Sequence, residues 1–341
     1  MPKAPLPRIL SSMQRIIGIT GAAGHLGGAL ARRLIADGYK VRALCYHDRR
    51  SIEGLAVEVF SGDILNPASL DPFLSGCFAV VHSAAIISIS GDPDGMVFRS
   101  NTEGPRNIVE GCIRHGVSRL VHVSSTHAVL DQLDKPSYDE TNAYKPSGSY
   151  AYDHSKALGE QLVLAAFKAG HLQGCVIRPS SIIGPYDFKP SKLGRAILDL
   201  YQGHIPVLPP GGYNFVDVRD VANAIAGALD RGRNGEIYLT SGHYAPMPDF
   251  ARLITDCGGA RPPRFRVSFT MLEFLLPLVS LWARIWHSEQ AYTHEMLHAL
   301  HQGHPNMDNS KAKREIGLTI RPLNESIADF LAWEKTKKEP S

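Results

Sequence analysis

Residues Arg15 to Tyr39 read RIIGITGAAGHLGGALARRLIADGY, and the rest of the chain is laid out around them. Ile16-Ile17-Gly18-Ile19-Thr20 is short, apolar and mostly β-branched, as a strand buried in a parallel sheet is. Gly21-Ala22-Ala23-Gly24-His25-Leu26-Gly27 follows at once. From Leu26 the apolar residues recur at helical spacing through Leu30, Leu34 and Ile35, until Gly38 stops the pattern. Strand, glycine turn and helix in that order form a cradle for a pyrophosphate. Gly21 permits the tight turn, and Gly24 keeps a Cβ out of the path of the phosphates. Gly27 lets the helix pack closely on the strand with its amino end facing the anion. The spacing G-x-x-G-x-x-G in this setting predicts a dinucleotide site, where the glycines alone would predict only a turn.

A chain of 341 residues is long enough for one large α/β unit or two domains with a sizeable core. Its 36 Lys and Arg stand against 33 Asp and Glu, and no Lys/Arg cluster of nucleic-acid type occurs, so no nucleic-acid partner is expected. Five cysteines lie far apart without C-x-x-C spacing, which suggests a reducing, cytoplasmic setting and no metal site. The opening MPKAPLPRILSS reads as a loose tail over 1–12. Val267 to Trp286, VSFTMLEFLLPLVSLWARIW, is strongly apolar but carries Glu273, Pro277 and Arg284. It reads as core or as an interfacial or pocket-lining helix pair sooner than as a membrane span, leaving a peripheral membrane contact open.

Downstream of the turn, strands are expected at 40–46, 57–60, 78–82, 119–123 and 174–178, with helices opening at 66 and spanning 95–115, 149–169 and 191–201. Short connections between alternating strands and helices imply right-handed crossovers and a parallel sheet. Beyond residue 180 the pattern loosens. Strands at 214–218 and 236–240 alternate with helices at 221–229 and 248–257, and helices follow at 269–301, 308–316 and 324–336. The expected architecture is an α/β, Rossmann-type doubly wound parallel sheet over 13–180. A smaller α/β substrate-binding lobe over 181–341 returns some segments to it and lies across the carboxyl edge, where α/β ligands bind.

Tyr152-Asp153-His154-Ser155-Lys156 places a phenol and an ammonium one helical turn apart, so the cation can favour the phenolate of a group whose ordinary pKa is about 10. Upstream, Val121-His122-Val123-Ser124-Ser125-Thr126 ends a strand in hydroxyls. One of these could hydrogen-bond a substrate oxygen, or the run could simply satisfy its own backbone. His127, beside Thr126, either faces the substrate or caps the strand end. His294, His298 and His301 stand at helical spacing without acidic or cysteine partners, which argues against zinc.

These motifs together resemble the extended short-chain dehydrogenase/reductase family, in the NAD-dependent epimerase/dehydratase superfamily, over residues 14 to about 336. Further support comes from Gly62-Asp63-Ile64, His82-Ser83-Ala84-Ala85, Asn101-Thr102-Glu103-Gly104 and the segment Arg178-Pro179-Ser180-Ser181-Ile182-Ile183-Gly184-Pro185. The resemblance implies that Gly21, Ala23, Gly24, His25, Leu26 and Gly27 hold the cofactor's phosphates and that Asp63 with Ile64 meets its adenine. It implies that Ser83, Ala84 and Ala85 line the cofactor, joined by Asn101 and Ser124, and that Pro179, Ser181 and Ile182 lie beside the nicotinamide. Tyr152 becomes the proton donor or acceptor, Lys156 lowers its pKa and holds the ribose, and the assisting hydroxyl falls on Thr126, with Ser125 in reserve.

Where NAD-using relatives end the second strand in an acidic residue, this chain has Cys45, followed by Tyr46, His47 and Arg49. The expected cofactor is therefore NAD(P), leaning to NADP. Nucleotide-sugar epimerases typically place an arginine where this chain has Tyr213 and often an asparagine near Ser180 and Ser181. Both departures, with the apolar Ile86 and Ile87, point toward the dihydroflavonol-reductase and 3β-hydroxysteroid-dehydrogenase branch. A hydrophobic alcohol or ketone is the implied substrate. The alternatives are a nucleotide-sugar epimerase or dehydratase and a cofactor-sensing regulator. Relatives suggest a homodimer formed through the helices at 95–115 and 149–169.

Overall fold

The computed structural model describes residues 15–89, 91–205, 207–263, 265–274 and 293–337. The first half alternates strands and helices as β1 (Ile16–Thr20), α1 (His25–Ala36), β2 (Lys40–Cys45), β3 (Val57–Ser61), α2 (Pro67–Leu74), β4 (Ala79–His82), α3 (Met96–Arg114), β5 (Arg119–Val123), α4 (Ala151–Lys168) and β6 (Gly174–Pro179). Next come β7 (Ser181–Ile183), α5 (Lys192–Gln202), β8 (Val207–Leu208), β9 (Gly212–Asp217), α6 (Val218–Arg231), β10 (Ile237–Thr240) and β11 (His243–Pro246). The chain continues with α7 (Met247–Asp256), β12 (Phe265–Arg266), α8 (His294–Gln302), α9 (Ser310–Ile316) and α10 (Leu323–Thr336).

Among the described residues, seven strands form one sheet in the order β3-β2-β1-β4-β5-β6-β10, with every pairing parallel. Parallel strands need helical crossovers, and these cover both faces. On one face Leu30 and Leu34 of α1 share a core with Val221 and Ile225 of α6. On the other, Phe73 of α2 packs with Ile108 of α3 and with Val163 and Phe167 of α4. The strand order reverses between β1 and β4, so the crevice at their carboxyl ends is where this architecture accepts a ligand. The doubly wound sheet expected from the sequence is the one observed.

A second sheet, β7-β9-β11, anchors the later part of the chain. Its core gathers Phe215, Phe250, Leu297 and Phe330, with the Phe215 and Phe250 rings stacked 4.2 Å apart. Two expectations differ here. β9 begins at Gly212 and forms an antiparallel pair with β11, a strand too short to show an alternation. The helix expected over 269–301 is interrupted as well. Thr293 is extended and its hydroxyl caps α8 by accepting from the Met296 amide at 3.1 Å, so a new helix starts there. Residues 275–286 of the apolar stretch lie outside the described residues. Among the described residues no helix is long and apolar enough to cross a membrane.

Candidate active site

The glycine turn has the shape its spacing predicts. Gly21 sits at φ +68°, and a Cβ there would lie 2.7 Å from the Ala84 amide nitrogen. A Cβ on Gly27 would come within 2.7 Å of the Ala22 Cα, so α1 could not approach β1. The Gly24 amide donates to the Gly21 carbonyl at 2.9 Å, and α1 begins at His25 directly behind it. His25 reaches across to the later half, its Nε2 donating to the carbonyls of Gly184 at 3.1 Å and Pro185 at 2.9 Å. Ala23 and Leu26 pack against the sheet core on the inner side of this turn.

The other residues assigned to the cofactor line the same carboxyl edge. The Ser83 hydroxyl donates to the Thr20 carbonyl at 2.7 Å and the Ala84 amide to the Thr20 hydroxyl at 3.2 Å, with Ala85 exposed beyond them. Asn101 is buried and its side chain holds the Ile86 backbone at both the amide and the carbonyl. Asp63 turns the chain by accepting from the Leu65 amide at 2.9 Å, and the Ile64 carbonyl accepts from Asn107. At the end of β2, Tyr46 is 67% exposed against His47. Arg50 is paired with Asp48, whereas Arg49 donates to the Ser61 hydroxyl at 2.7 Å. Ser181 and Ile182 form β7 beside β9, following Pro179 at the end of β6. A helix amino terminus behind a glycine turn at the switch point of a parallel sheet fits a dinucleotide.

Tyr152 and Lys156 lie on the first turns of α4, both buried. Burial pushes the Tyr152 phenol up to about 12, and the hydroxyl hydrogen-bonded to it belongs to Ser125, which pulls the other way. Ser125 is extended at φ −160° and ψ 154°, and the turn of 3-10 helix that follows carries Thr126 away to line a neighbouring cavity. Ser124 is buried beneath them. Lys156 donates to the Val123 carbonyl at 2.9 Å, and burial lowers its ammonium to about 8 against the opposing charge of Glu160. The phenol is thus raised, opposite to the depression expected from its spacing to Lys156. Removal of the phenol from water outweighs the bond from Ser125.

The cavity beside Thr126 and His127 is lined largely by polar and charged side chains. Asp131, Lys145 and Asp153 line one side of it, and Ser180, Ser181, Tyr213 and Asn214 another. Glu295 and His298 of α8 close it, while the exposed Ile86 and Ile87 lie outside its lining. Asp131, Lys145, Asp153 and Glu295 were not anticipated from the sequence. Only Asp153 carried a signal, since it stands inside the Tyr-x-x-x-Lys motif. Among the described residues no three His, Cys, Asp or Glu side chains cluster as a metal site needs. His301 instead stacks on Phe269 at 4.4 Å and His298 meets Tyr150 edge to face at 5.5 Å.

Below the site His82 and His122, opposite each other on β4 and β5, are buried with rings 5.4 Å apart. Burial, aided by the charge of Lys156, holds His82 down to about 3 and His122 well below its ordinary value. Unfolding lets both take up a proton once the pH falls below the ordinary value of about 6.5. Their neutral burial therefore supports the fold above about pH 6.5, and that support is lost as the pH falls toward 3. The slope is about 1.4 kcal/mol per pH unit for each histidine. His82→Gln should flatten the loss of urea stability between pH 6.5 and 4.5; an unchanged slope would assign the acid sensitivity elsewhere.

With this geometry in place, comparison with known proteins assigns the family. Residues 17–240 match the NAD dependent epimerase/dehydratase family. The chain is 31% identical over 319 residues to sterol demethylase protein B of Methylococcus capsulatus, covering 92% of this chain and 97% of that one. It is 29% identical over 330 residues to a putative dihydroflavonol 4-reductase of Synechocystis, covering 92% and 93%. Among solved structures, the crystal structure of gox2253 superposes with a TM-score of 0.83 at 31% identity, covering 96% of this chain and all of that one. The glycine turn, the Tyr-x-x-x-Lys helix and these similarities agree: the chain belongs to the NAD dependent epimerase/dehydratase family, within the extended short-chain dehydrogenases/reductases, as an NAD(P)-dependent oxidoreductase of the dihydroflavonol-reductase and 3β-hydroxysteroid-dehydrogenase-like branch.

Proposed function

We propose that the protein interconverts a secondary alcohol and a ketone on a hydrophobic small molecule, with Tyr152 as the acid/base. The observation that carries this reading is the buried Tyr152 hydroxyl bonded to Ser125, with Lys156 one turn along the same helix. A phenol held at about 12 keeps its proton at neutral pH, so it is ready to donate to the oxygen of a ketone being reduced. Ser125, with Thr126 at the cavity wall, shares the negative charge that develops on that oxygen. By family resemblance, Lys156 supplies a cation near the phenol and a bond to the ribose. A nicotinamide held at this edge would supply or take the hydride. Tyr213 in place of a diphosphate-binding arginine, and relatives named for sterol and dihydroflavonol chemistry, support the substrate class.

The test is reduced-nicotinamide absorbance with the purified protein against a panel of hydrophobic ketones and nucleotide sugars. Net oxidation of the cofactor by a ketone is the expected result. Altered nucleotide sugar without net redox change would instead make the protein an epimerase or dehydratase, and binding without chemistry would make it a sensor. The cofactor is proposed to be NADP(H), met at its 2′-phosphate by Arg49 and His47. Arg49→Ala should weaken NADPH binding about tenfold or more while changing NADH binding little, as loss of a charge-assisted bond predicts. Equal losses for both cofactors would remove Arg49 from the 2′-phosphate.

A further inference from the structure

The loop that follows β7 is buried where loops usually lie open to water. Gly184, Pro185 and Asp187 are all buried, and a Cβ on Gly184, at φ +123°, would stand 3.2 Å from the Val218 side chain. A buried loop must still satisfy its carbonyls. Those of Gly184 and Pro185 both accept from His25 Nε2, at 3.1 and 2.9 Å. Carbonyls only accept, so Nε2 carries a proton whether the ring is neutral or charged. His25 is the first residue of α1, directly behind Gly24. One side chain therefore spans from the phosphate turn to the end of β7, the two sides that family resemblance assigns to the dinucleotide's phosphates and its nicotinamide.

The same loop is strained, and it is held from its far side as well. Tyr186 sits at φ +73°, in the left-handed region that a bulky side chain rarely adopts. The Arg32 guanidinium lies 4.6 Å from the centre of its ring, and Trp333 of α10 meets that ring edge to face at 6.4 Å. Lys337, just past α10, donates to the carbonyls of Asp187 at 2.9 Å and Phe188 at 3.5 Å. A strained turn pinned on two sides opens when one side lets go, because the carbonyls it kept buried then need water. We infer that His25 is a positioning residue whose Nε2–H latches the loop at 184–188 over the dinucleotide edge and sets how fast the cofactor enters and leaves. The bonds join parts of the chain to each other, so they lend nothing directly to cofactor affinity. Opening the latch speeds entry and exit by the same factor. An oxidoreductase exchanges its dinucleotide in every cycle, so this step bears on turnover. The inference rests on the dinucleotide site and not on the substrate proposed for it.

The test follows the fluorescence of NADPH and NADH on rapid mixing with the full chain, and then on displacement by excess oxidised cofactor, with no second substrate present. His25→Phe keeps a flat ring and removes the donor. It should raise the association and dissociation rate constants together by about tenfold, the scale of one or two neutral hydrogen bonds, and leave Kd within about twofold. His25→Gln keeps an N–H at similar reach and should bring both rates back toward wild type. His25→Asn, whose amide falls short of the two carbonyls, should match the phenylalanine variant and replaces it if that protein does not fold. Lys337→Met, which frees the same loop from α10, should also raise both rates. Unchanged rates in the His25 or the Lys337 variants, a faster dissociation with Kd rising in step, or an effect confined to urea stability each overturn the latch. Failure of the wild-type chain to bind either cofactor overturns the dinucleotide site and the latch with it.

Discussion

Tyr152→Phe is expected to lower kcat by about 10² or more, the usual contribution of a positioned proton donor. The change removes one oxygen and leaves the ring, so packing in α4 is kept. The oxygen removed is the one bonded to Ser125. Dinucleotide binding should persist, because the glycine turn and the groups at the end of β2 do not touch Tyr152. Measuring kcat alongside cofactor affinity by fluorescence separates the two. Wild-type turnover in the phenylalanine variant would remove the acid/base role, and loss of cofactor affinity in step with kcat would make the hydroxyl a binding group.

The largest stability effect is expected at Glu160. Its carboxylate and the Arg178 guanidinium are 0% and 1% exposed and lie 2.5 Å apart, joined by the Tyr144 hydroxyl at 2.8 Å. The pair fixes α4, two turns beyond Tyr152, to β6. Glu160→Ala strands a cation in the interior with little beyond the Glu140 carbonyl at 3.3 Å to receive it, and should cost about 3–5 kcal/mol in urea unfolding. Replacing both members, as Glu160→Leu with Arg178→Met, should recover most of that loss, because the penalty belongs to the unpaired charge. A loss under about 1 kcal/mol from Glu160→Ala would mean that water reaches Arg178.

What could be read from the sequence was what is local. The β1–turn–α1 unit is legible because strand pattern, glycines and helical period follow one another within Arg15 to Tyr39. The Tyr152–Lys156 pair is legible because one helical turn brings them together. The cavity wall was not, since Asp131, Lys145, Asp153 and Glu295 come from separate segments that only the folded chain assembles. The choice between Thr126 and Ser125 depended on one backbone conformation. An extended Ser125 followed by a tight turn presents Ser125 to Tyr152 and Thr126 to the cavity, whereas the family's pattern implies Thr126, with Ser125 in reserve. Burial is the other quantity that spacing omits, and it reversed the expected direction for the Tyr152 phenol.

The position of β10 has a consequence for how the chain reaches this state. β10 pairs with β6, and α6 covers the Leu30 and Leu34 face of α1, so the nucleotide-binding half is completed by residues 218–240. During synthesis from the amino end, that face of α1 stays uncovered until those residues emerge. Contacts so distant in sequence are slow to form and leave apolar surface open to aggregation meanwhile. A fragment ending near residue 180 would keep every glycine of the phosphate turn, yet one flank of its sheet would have no cover. Refolding yield should therefore rise sharply only for fragments that extend past Thr240.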